Sequence, residues 1–290
     1  GSGNGSTNYY YSTGGDYNIY LNNYTKPVGD VDGGEHGFSM QNLNSSTHRY
    51  CLNQGQVVVN MYKALEVRHD DVDFNVIRGA HIYGEGAGSQ NAGSIYIRNE
   101  ANNNTFENIL IESSGGAYIG FEEASESGTG LGSGNKIINS VFKGADWVIF
   151  ASNDNTGLAT GDIEIYNNTF DVTGTFLYGG SGSGSGTTSL DIDFRNNIIS
   201  GLSTENSGET IAGSRTFQNN NLYNAGSWAN TYIGSDGNIN VDALLDANFR
   251  FTISSPTSVT EGGQNLSTDV PMDKDGKKRV APFSMGAYNK

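Results

Sequence analysis

The stretch Phe106-Glu107-Asn108-Ile109-Leu110 places an Asn two residues from an apolar residue on either side. The same pattern recurs at Ile137–Val141 and Tyr166–Phe170, with looser copies elsewhere in the chain. The gaps between the six Asn residues are 33, 31, 29, 29 and 23. A repeat of roughly 20–50 residues is typical of a solenoid, whose units bury their apolar faces by stacking. The six residues are Asn75, Asn108, Asn139, Asn168, Asn197 and Asn220.

A second set of short apolar segments follows the same interval, at Ala117–Phe121, Asp146–Phe150 and Thr175–Tyr178. Equal spacing of two sets predicts two strands per coil, each paired in parallel with its counterpart in the next coil. An Asn amide can donate to the Asn above and accept from the one below, so we expect the six amides to stack. The sequence therefore predicts an all-β, single-stranded parallel β-helix, with about nine coils spaced by roughly 4.8 Å.

Composition excludes several function classes. The formal net charge of −15 argues against a nucleic-acid partner, because phosphate binding needs basic surface. No apolar run approaches the roughly 20 residues of a membrane span. The single cysteine, Cys51, cannot form an internal disulfide, and its apolar flanks favour a buried thiol. A cysteine-poor acidic chain rich in Asn, Gly, Ser and Thr is typical of secreted bacterial surface proteins, so we expect an extracellular or cell-surface location.

The C-terminal segment carries a resemblance to a known fold family. Asp273-Lys274-Asp275-Gly276, followed by Arg279 and Met285-Gly286-Ala287-Tyr288, resembles the closing phrase of secreted β-helix proteins, with Met285 in place of the usual Ile. The chain thus resembles the right-handed parallel β-helix of pectate-lyase-like proteins. This predicts irregular first coils or a cap remnant at 1–35, a β-helix at 36–245 and a closing segment at 246–290. It also allows the chain to be part of a larger surface protein.

Basic residues concentrate between His36 and Arg98, which contain all four His and four of the eight Arg. Arg68 and Arg98 are 30 residues apart, about one coil, so we expect them to stack on one face. Strand alternation places Glu66 and Tyr96 on that outer face as well. Lys63 has the parity of Leu65, whose side chain is expected to point inward. Its side chain therefore reaches the outer face only if the strand begins after Lys63.

Such a face has the groups that β-elimination of a uronate sugar requires. A cation neutralises the sugar carboxylate, a base takes the neighbouring proton, and an acid assists the leaving oxygen. Leu65-Glu66-Val67-Arg68-His69 is similar to a motif of the alginate lyase and chondroitinase B group, although Ser39–Tyr50 contains no Lys to match the Lys of that group. The resemblance implies a lyase of an acidic polysaccharide and gives Arg68 the role of the catalytic Arg. We predict the catalytic residues Arg68, Lys63, His69 and Arg98 and the substrate-binding residues Arg78, His81, Tyr96 and Glu85.

Three alternatives remain open from the residues alone. The Arg residues can pair with neighbouring carboxylates as an exposed charge ladder of little individual strength. The protein can instead be a non-catalytic adhesion or glycan-binding rod, with an aromatic platform from its N-terminal Tyr cluster. A carboxylate pair such as Glu122 and Glu123 would favour glycoside hydrolysis. A corner of acidic residues also allows a Ca²⁺ site, although Asp is common at turns; its candidate ligands are Asp70, Asp71 and Asp73.

Overall fold

The chain folds into a solenoid of three parallel sheets. The structure is a computed structural model that describes residues 8–12, 15–25, 36–41, 47–59, 63–84, 93–113, 116–123, 130–154, 156–180 and 186–290. Each coil contributes one strand to each sheet, and every strand pairs in parallel with its counterparts in the neighbouring coils. The N-terminal strands already pair in this way, so the stacking begins before residue 36.

The strands of the three sheets are short and follow one another along the chain from coil to coil. Sheet A contains Asn8–Ser12, His36–Gln41, Lys63–Arg68, Gly93–Arg98, Ala117–Glu123, Trp147–Asn153, Thr175–Gly179 and Thr204–Gly208. Sheet B contains Ile19–Leu21, Leu52–Gln54, Val76–Arg78, Thr105–Glu107, Gly130–Ile138, Leu158–Tyr166, Thr187–Arg195, Ile211–Ala212 and Arg215–Gln218. Sheet C contains Tyr24–Thr25, Val57–Val59, His81–Gly84, Leu110–Ser113, Val141–Lys143, Thr169–Asp171, Ile198–Ser200 and Asn221–Tyr223. His48–Arg49 pairs with Val72–Asp73 outside these sheets.

Helical structure is confined to two short segments in the described residues. A 3₁₀ helix spans Ser227–Thr231 and an α-helix spans Thr257–Thr260. Neither is long and apolar enough to cross a membrane, so the described part of the chain contains no helix that could do so.

The predicted all-β parallel β-helix is confirmed, but each coil has three strands where the spacing of the apolar segments predicts two. The stretch Phe106–Leu110 has the sequence pattern of one strand, yet it belongs to two. Thr105–Glu107 ends in sheet B, Asn108 turns the corner, and Leu110 begins the next strand in sheet C. Sheets A and C have eight strands each within the described ranges, so the coil count also differs from the predicted nine.

The corner between sheets B and C explains the recurring Asn, and it corrects the prediction that all six amides stack. In successive coils the corner residue has a left-handed backbone, which Asn tolerates better than most residues. Asn108, Asn139, Asn167, Asn196 and Asn219 occupy this position, with φ between 52° and 58°. The amides that stack belong to the residues after the corner, where Asn168 donates to Asn197 at 3.1 Å and Asn197 to Asn220 at 3.2 Å.

A second amide stack lies at the corner between sheets A and B. Asn75 donates to Asn104 at 2.9 Å, and Asn104 donates to Asn135 at 3.3 Å. Asn75 therefore aligns with Asn104 and not with Asn108, which belongs to the other corner. The core between the sheets is apolar and aromatic, and it includes the stacked rings of Phe142 and Phe170 at 4.5 Å.

Cys51 is buried, as the sequence predicts. Its backbone N–H donates to the side-chain oxygen of Asn75 at 3.0 Å, which extends the amide stack by one coil. Burial raises the pKa of its thiol, which keeps the sulfur protonated and unreactive.

The C-terminal segment packs along the outside of the corner between sheets B and C. Its apolar side chains Val259 and Met285 pack with Ile198 of sheet C. The corner amides, which do not stack on one another, donate to its backbone carbonyls instead. The donors and acceptors are Asn219 and Gly262, Asn196 and Gln264, Asn167 and Ser284, and Asn139 and Met272.

Lys274 makes the packing of the C-terminal segment on the solenoid dependent on pH. Its amine donates to the carbonyl of Asn108 at 2.7 Å, and burial lowers its pKa to about 8. Between this value and the unfolded pKa of about 10.4, the unfolded chain binds more protons, so this group makes stability rise with pH. We expect the free energy of unfolding of the native protein, measured in urea from about pH 7.5 to about pH 9.5, to rise relative to that of Lys274→Met. Parallel pH profiles of the two proteins would contradict this assignment.

Candidate functional site

The outer face of sheet A carries most of the residues that the sequence predicts for catalysis. Arg68 and Arg98 are direct neighbours in the register of adjacent strands, which confirms that they stack one coil apart on one wall. Glu66 and Tyr96 are paired in the same way. The strand pattern thus predicts the neighbours on this wall correctly.

Lys63 also reaches this outer face, although its parity in the sequence is that of a core residue. Its amine lies 4.1 Å from the centre of the Tyr96 ring. Alternation fails at the start of the strand because Ala64 and Leu65 both belong to the core. Lys63 is therefore placed on the side that the catalytic prediction requires.

These groups form an ion cluster, which we call the sheet A charge cluster (Lys63, Glu66, Tyr96, Arg98 and Glu122). Nε of Arg98 lies 2.6 Å from Oε2 of Glu122, and its Nη1 lies 3.4 Å from Oε1 of Glu66. Nζ of Lys63 lies 3.5 Å from the same oxygen of Glu122, to which the Tyr96 hydroxyl donates at 3.0 Å. Both cations are thus bonded to carboxylates.

The cluster is buried. Glu66 is 1% exposed, Lys63 8% and Arg98 9%. Burial lowers the pKa of the Lys63 amine. Burial also opposes ionisation of Arg98, but the charges of Glu122 and Glu66 outweigh it and raise the pKa of the guanidinium. A buried guanidinium that already bonds two carboxylates is poorly suited to receive a third from a substrate, so the geometry favours a structural role.

Of the predicted catalytic residues, His69 has the protonation state that best suits a general base. It follows the strand of Arg68 with a φ of 80°, and its backbone N–H donates to the carbonyl of Arg98 at 3.1 Å. Burial lowers the pKa of its imidazole, and the charges of Arg68 and Arg98 lower it further. The ring is therefore neutral at neutral pH and able to accept a proton.

Arg78 and His81, two of the predicted substrate-binding residues, lie on other sheets than Arg68 and not beside it. Arg78 ends a strand of sheet B and His81 begins a strand of sheet C, and each contacts a carboxylate of its own sheet. The physical reason is two corners. The chain turns between sheets A and B at His69 and Phe74, with φ of 80° and 57°, and again between sheets B and C at Gly79, with φ of 65°. Glu85, the remaining predicted substrate-binding residue, lies outside the described residues.

Of the three carboxylates predicted as calcium ligands, two are bonded to other groups of the protein and the third is exposed. Asp71 is bonded to Arg49, whose Nε lies 3.8 Å from Oδ2 of Asp73. Asp73 also accepts the backbone N–H of Asn102 at 2.9 Å, and Asp70 is exposed. Within the described ranges no group of three or more acidic, His or Cys side chains is placed to hold a metal ion.

A different surface presents exposed aromatic rings at the corner between sheets A and B. We call Tyr17, Tyr50 and Phe74 the aromatic ladder. Their ring centres are 5.3 Å apart at both steps, with interplanar angles of 13° and 10°. The exposed fractions are 74% for Tyr17, 52% for Tyr50 and 44% for Phe74. Three consecutive coils thus present one continuous aromatic surface to solvent.

The backbone of the ladder is strained. The φ angles of Tyr17, Tyr50 and Phe74 are 61°, 58° and 57°. This left-handed region costs roughly 1–2 kcal/mol for a residue with a bulky side chain. The next coils place Asn103 and Gly134 at the same corner, which are the residue types that fit it. Strain of this kind concentrates at functional sites, so the ladder is the better candidate for binding.

The sequence points to this surface only in part. Tyr17 belongs to the N-terminal Tyr cluster that is predicted to form a platform, whereas nothing in that prediction includes Tyr50 or Phe74. Tyr50 and Phe74 each precede the residue that begins the buried side of the corner, Cys51 and Asn75. That position in the repeat is the signal that would have identified them.

Sheet A has a second aromatic pair further along the rod. Trp147 and Tyr178 stack at 4.2 Å with an interplanar angle of 16°. Both side chains are only half-buried, but Tyr178 also packs at 6.2 Å from the buried ring of Phe150. The pair is therefore less accessible than the aromatic ladder and ranks behind it as a candidate.

Comparison with known proteins does not narrow the function. No protein-family model, curated protein or solved structure matches the chain. The expectations drawn from resemblance therefore remain predictions. The described side chains are what bears on the function.

Proposed function

We propose that this protein is a rigid β-helical rod that binds a polysaccharide without cleaving it. The aromatic ladder is the observation that carries the proposal, because its exposed rings repeat at 5.3 Å along the rod. Aromatic side chains offer a large apolar area, and Tyr adds a hydroxyl that can bond in water. Such a row is suited to contact successive rings of one extended sugar chain.

Polar side chains beside the ladder support the same function. Arg49 and Asp71 are 38% and 33% exposed and bonded to each other. Asp16 accepts the backbone N–H of Arg49 at 3.0 Å and the hydroxyl of Thr47 at 2.8 Å. Donors and acceptors fixed next to apolar rings are the combination by which sugar sites bind hydroxyl groups and ring faces together.

An uncharged polymer fits better than an acidic one. The net charge of −15 repels polyanions, and the cations of the sheet A charge cluster are already bonded to carboxylates. A rod of this kind would act where extended polysaccharides occur, outside the cell or at its surface.

Retention on insoluble polysaccharides tests the proposal. Tyr50→Asn and Phe74→Asn remove rings but keep a residue type that the left-handed corner accepts, as at Asn103. At roughly 1 kcal/mol per ring, the double variant should bind about tenfold or more weakly. The measurement is a binding isotherm on cellulose, xylan, mannan and chitin particles.

Tyr24→Asn is the matched control, since this side chain is 58% exposed and stands outside the ladder. Its binding should equal that of the native protein. Equal binding by the double variant, or retention on none of the polymers, would refute the proposal. Release of soluble sugar during the incubation would show cleavage and would refute the non-catalytic part.

A second candidate function, β-elimination of a uronate polysaccharide, is supported by one observation. The pKa of His69 is lowered by burial and by Arg68 and Arg98, which leaves a neutral base beside positive charge. Incubation with alginate, pectate and chondroitin would produce the ultraviolet absorbance of unsaturated uronates if this candidate is right. A signal that His69→Gln abolishes would establish it, and absence of signal on all three substrates would remove it.

A further inference from the structure

A groove runs along the outer face of sheet C, between the sheet and residues 242–250. It consists of two cavities of about 400 and 190 Å³, and Phe249 lines both of them. The larger cavity is lined mainly by polar and aromatic side chains. These are Glu112, Lys143, Asn248, Phe249, Arg250 and Tyr288.

The sheet wall of the groove is a chain of bonded polar groups from three coils. Nε2 of His81 lies 2.9 Å from Oε2 of Glu112, and Nζ of Lys143 donates to Oε1 of the same carboxylate at 3.1 Å. Glu112 is 40% exposed and Lys143 29%. The hydrogen bonds from His81 and Lys143 lower the pKa of Glu112, so the carboxylate is ionised at neutral pH. His81, predicted to bind substrate, thus belongs to this surface.

The opposite wall is held in one conformation by a carboxylate. Oδ1 of Asp246 accepts the backbone N–H groups of Asn248 at 2.8 Å and Arg250 at 3.0 Å. Phe249, between them, has a φ of 61°, and Nζ of Lys143 lies 4.9 Å from its ring centre. The contact between Lys143 and the Phe249 ring therefore joins the sheet wall of the groove to the opposite wall.

The charges around the larger cavity balance. Arg250 donates to both carboxylate oxygens of Asp275, and its guanidinium lies 4.4 Å from the ring centre of Tyr288. Lys143 is paired with Glu112 in the same way. The larger cavity therefore offers many hydrogen-bonding groups but no excess charge, and a charged ligand would have to break an ion pair there on binding. Three carboxylates line the smaller cavity and would repel an anionic sugar. They belong to Asp171, Asp242 and Asp246.

We propose that this groove binds an uncharged, linear oligosaccharide. Glu112, Lys143 and Asn248 would bond its hydroxyl groups, and the continuation of the groove past Phe249 favours a chain of several sugars over a single one. The inference shares the ligand class of the proposed function and rests on it in that respect. It concerns a separate surface, because sheet C does not include the aromatic ladder.

Calorimetry with soluble tetrasaccharides tests the groove. The probes are cellotetraose, xylotetraose, mannotetraose and tetragalacturonate. We expect at least one neutral probe to bind, and both Glu112→Gln and Lys143→Met to weaken it by about tenfold, because each removes a hydrogen bond from a charged group. Lys136→Met is the matched control, since Lys136 is similarly exposed and paired with Glu164 on sheet B. It should leave binding unchanged.

The ladder variants separate this inference from the proposed function. Tyr50→Asn should remove only the contribution of the ladder to tetrasaccharide binding, and leave the component that the groove variants weaken, while it reduces retention on the polymer. Tetrasaccharide binding that responds only to Tyr50→Asn overturns the groove and leaves the ladder. Binding that responds only to the groove variants, with polymer retention insensitive to the ladder, upholds the groove and overturns the ladder. Preference for tetragalacturonate, or no binding of any neutral probe, overturns the groove.

Discussion

Arg98→Ala should lower the free energy of unfolding by about 3–5 kcal/mol, because it removes a buried cation that is bonded to two carboxylates. The carboxylate of Glu66 is 1% exposed and lies 3.4 Å from Arg98, and Glu122 loses a contact of 2.6 Å. Urea unfolding, followed by far-ultraviolet circular dichroism, measures the change. An Arg that serves only in catalysis would be removed with little effect on stability.

Arg195→Ala is the matched control for Arg98→Ala. Arg195 is also paired with a carboxylate, Asp193, but both side chains are about a quarter exposed, at 27% and 26%. Exposed pairs contribute about 1 kcal/mol or less, so this variant should unfold close to the native protein. Similar stability of the two variants would contradict a structural role for the sheet A charge cluster.

Asn197→Ala should be the second large effect, with a loss of roughly 2–4 kcal/mol from buried polar groups left without partners. Its amide donates to the carbonyl of Ile165 at 2.8 Å and to Asn220 at 3.2 Å, and its oxygen accepts from the backbone N–H of Asn168 at 2.8 Å. One substitution therefore breaks contacts to the coils on both sides. The measurement is the midpoint and slope of urea unfolding.

Asn265→Ala provides the control, because this Asn is exposed and its side-chain oxygen accepts from Ser267, two residues away. It should change stability by no more than about 0.5 kcal/mol. If Asn197→Ala behaved like this control, the buried amides would not hold the coils together.

The fold could be predicted from the sequence because its period is long and regular. The number of strands per coil could not, since Phe106–Leu110 contains a corner within a run that has the pattern of one strand. The alignment of the amides failed for a related reason. In Asn167-Asn168, Asn196-Asn197 and Asn219-Asn220 the first Asn turns the chain and the second stacks, and spacing alone does not distinguish adjacent residues of one type.

The sequence predicts which face of the sheet the candidate site residues occupy, but not how deeply they are buried. Alternation places Arg68, Arg98 and Tyr96 on one outer face, and the register confirms the two Arg residues. Alternation does not say that Tyr96 is fully buried there or that Glu122, from the next coil, bonds Arg98. Residues beyond a corner were assigned to the same wall because the sequence does not show through what angle the chain turns at Phe74 and at Gly79.

An NMR titration with ¹³C-labelled Tyr and Phe rings tests polysaccharide binding at the aromatic ladder directly. Addition of a soluble fragment of the retained polysaccharide should shift the ring signals of Tyr17, Tyr50 and Phe74 together and leave those of Tyr178 in place. No product should form during the titration. Shifts confined to Tyr178 or Tyr96, or the appearance of cleaved sugar, would contradict the account.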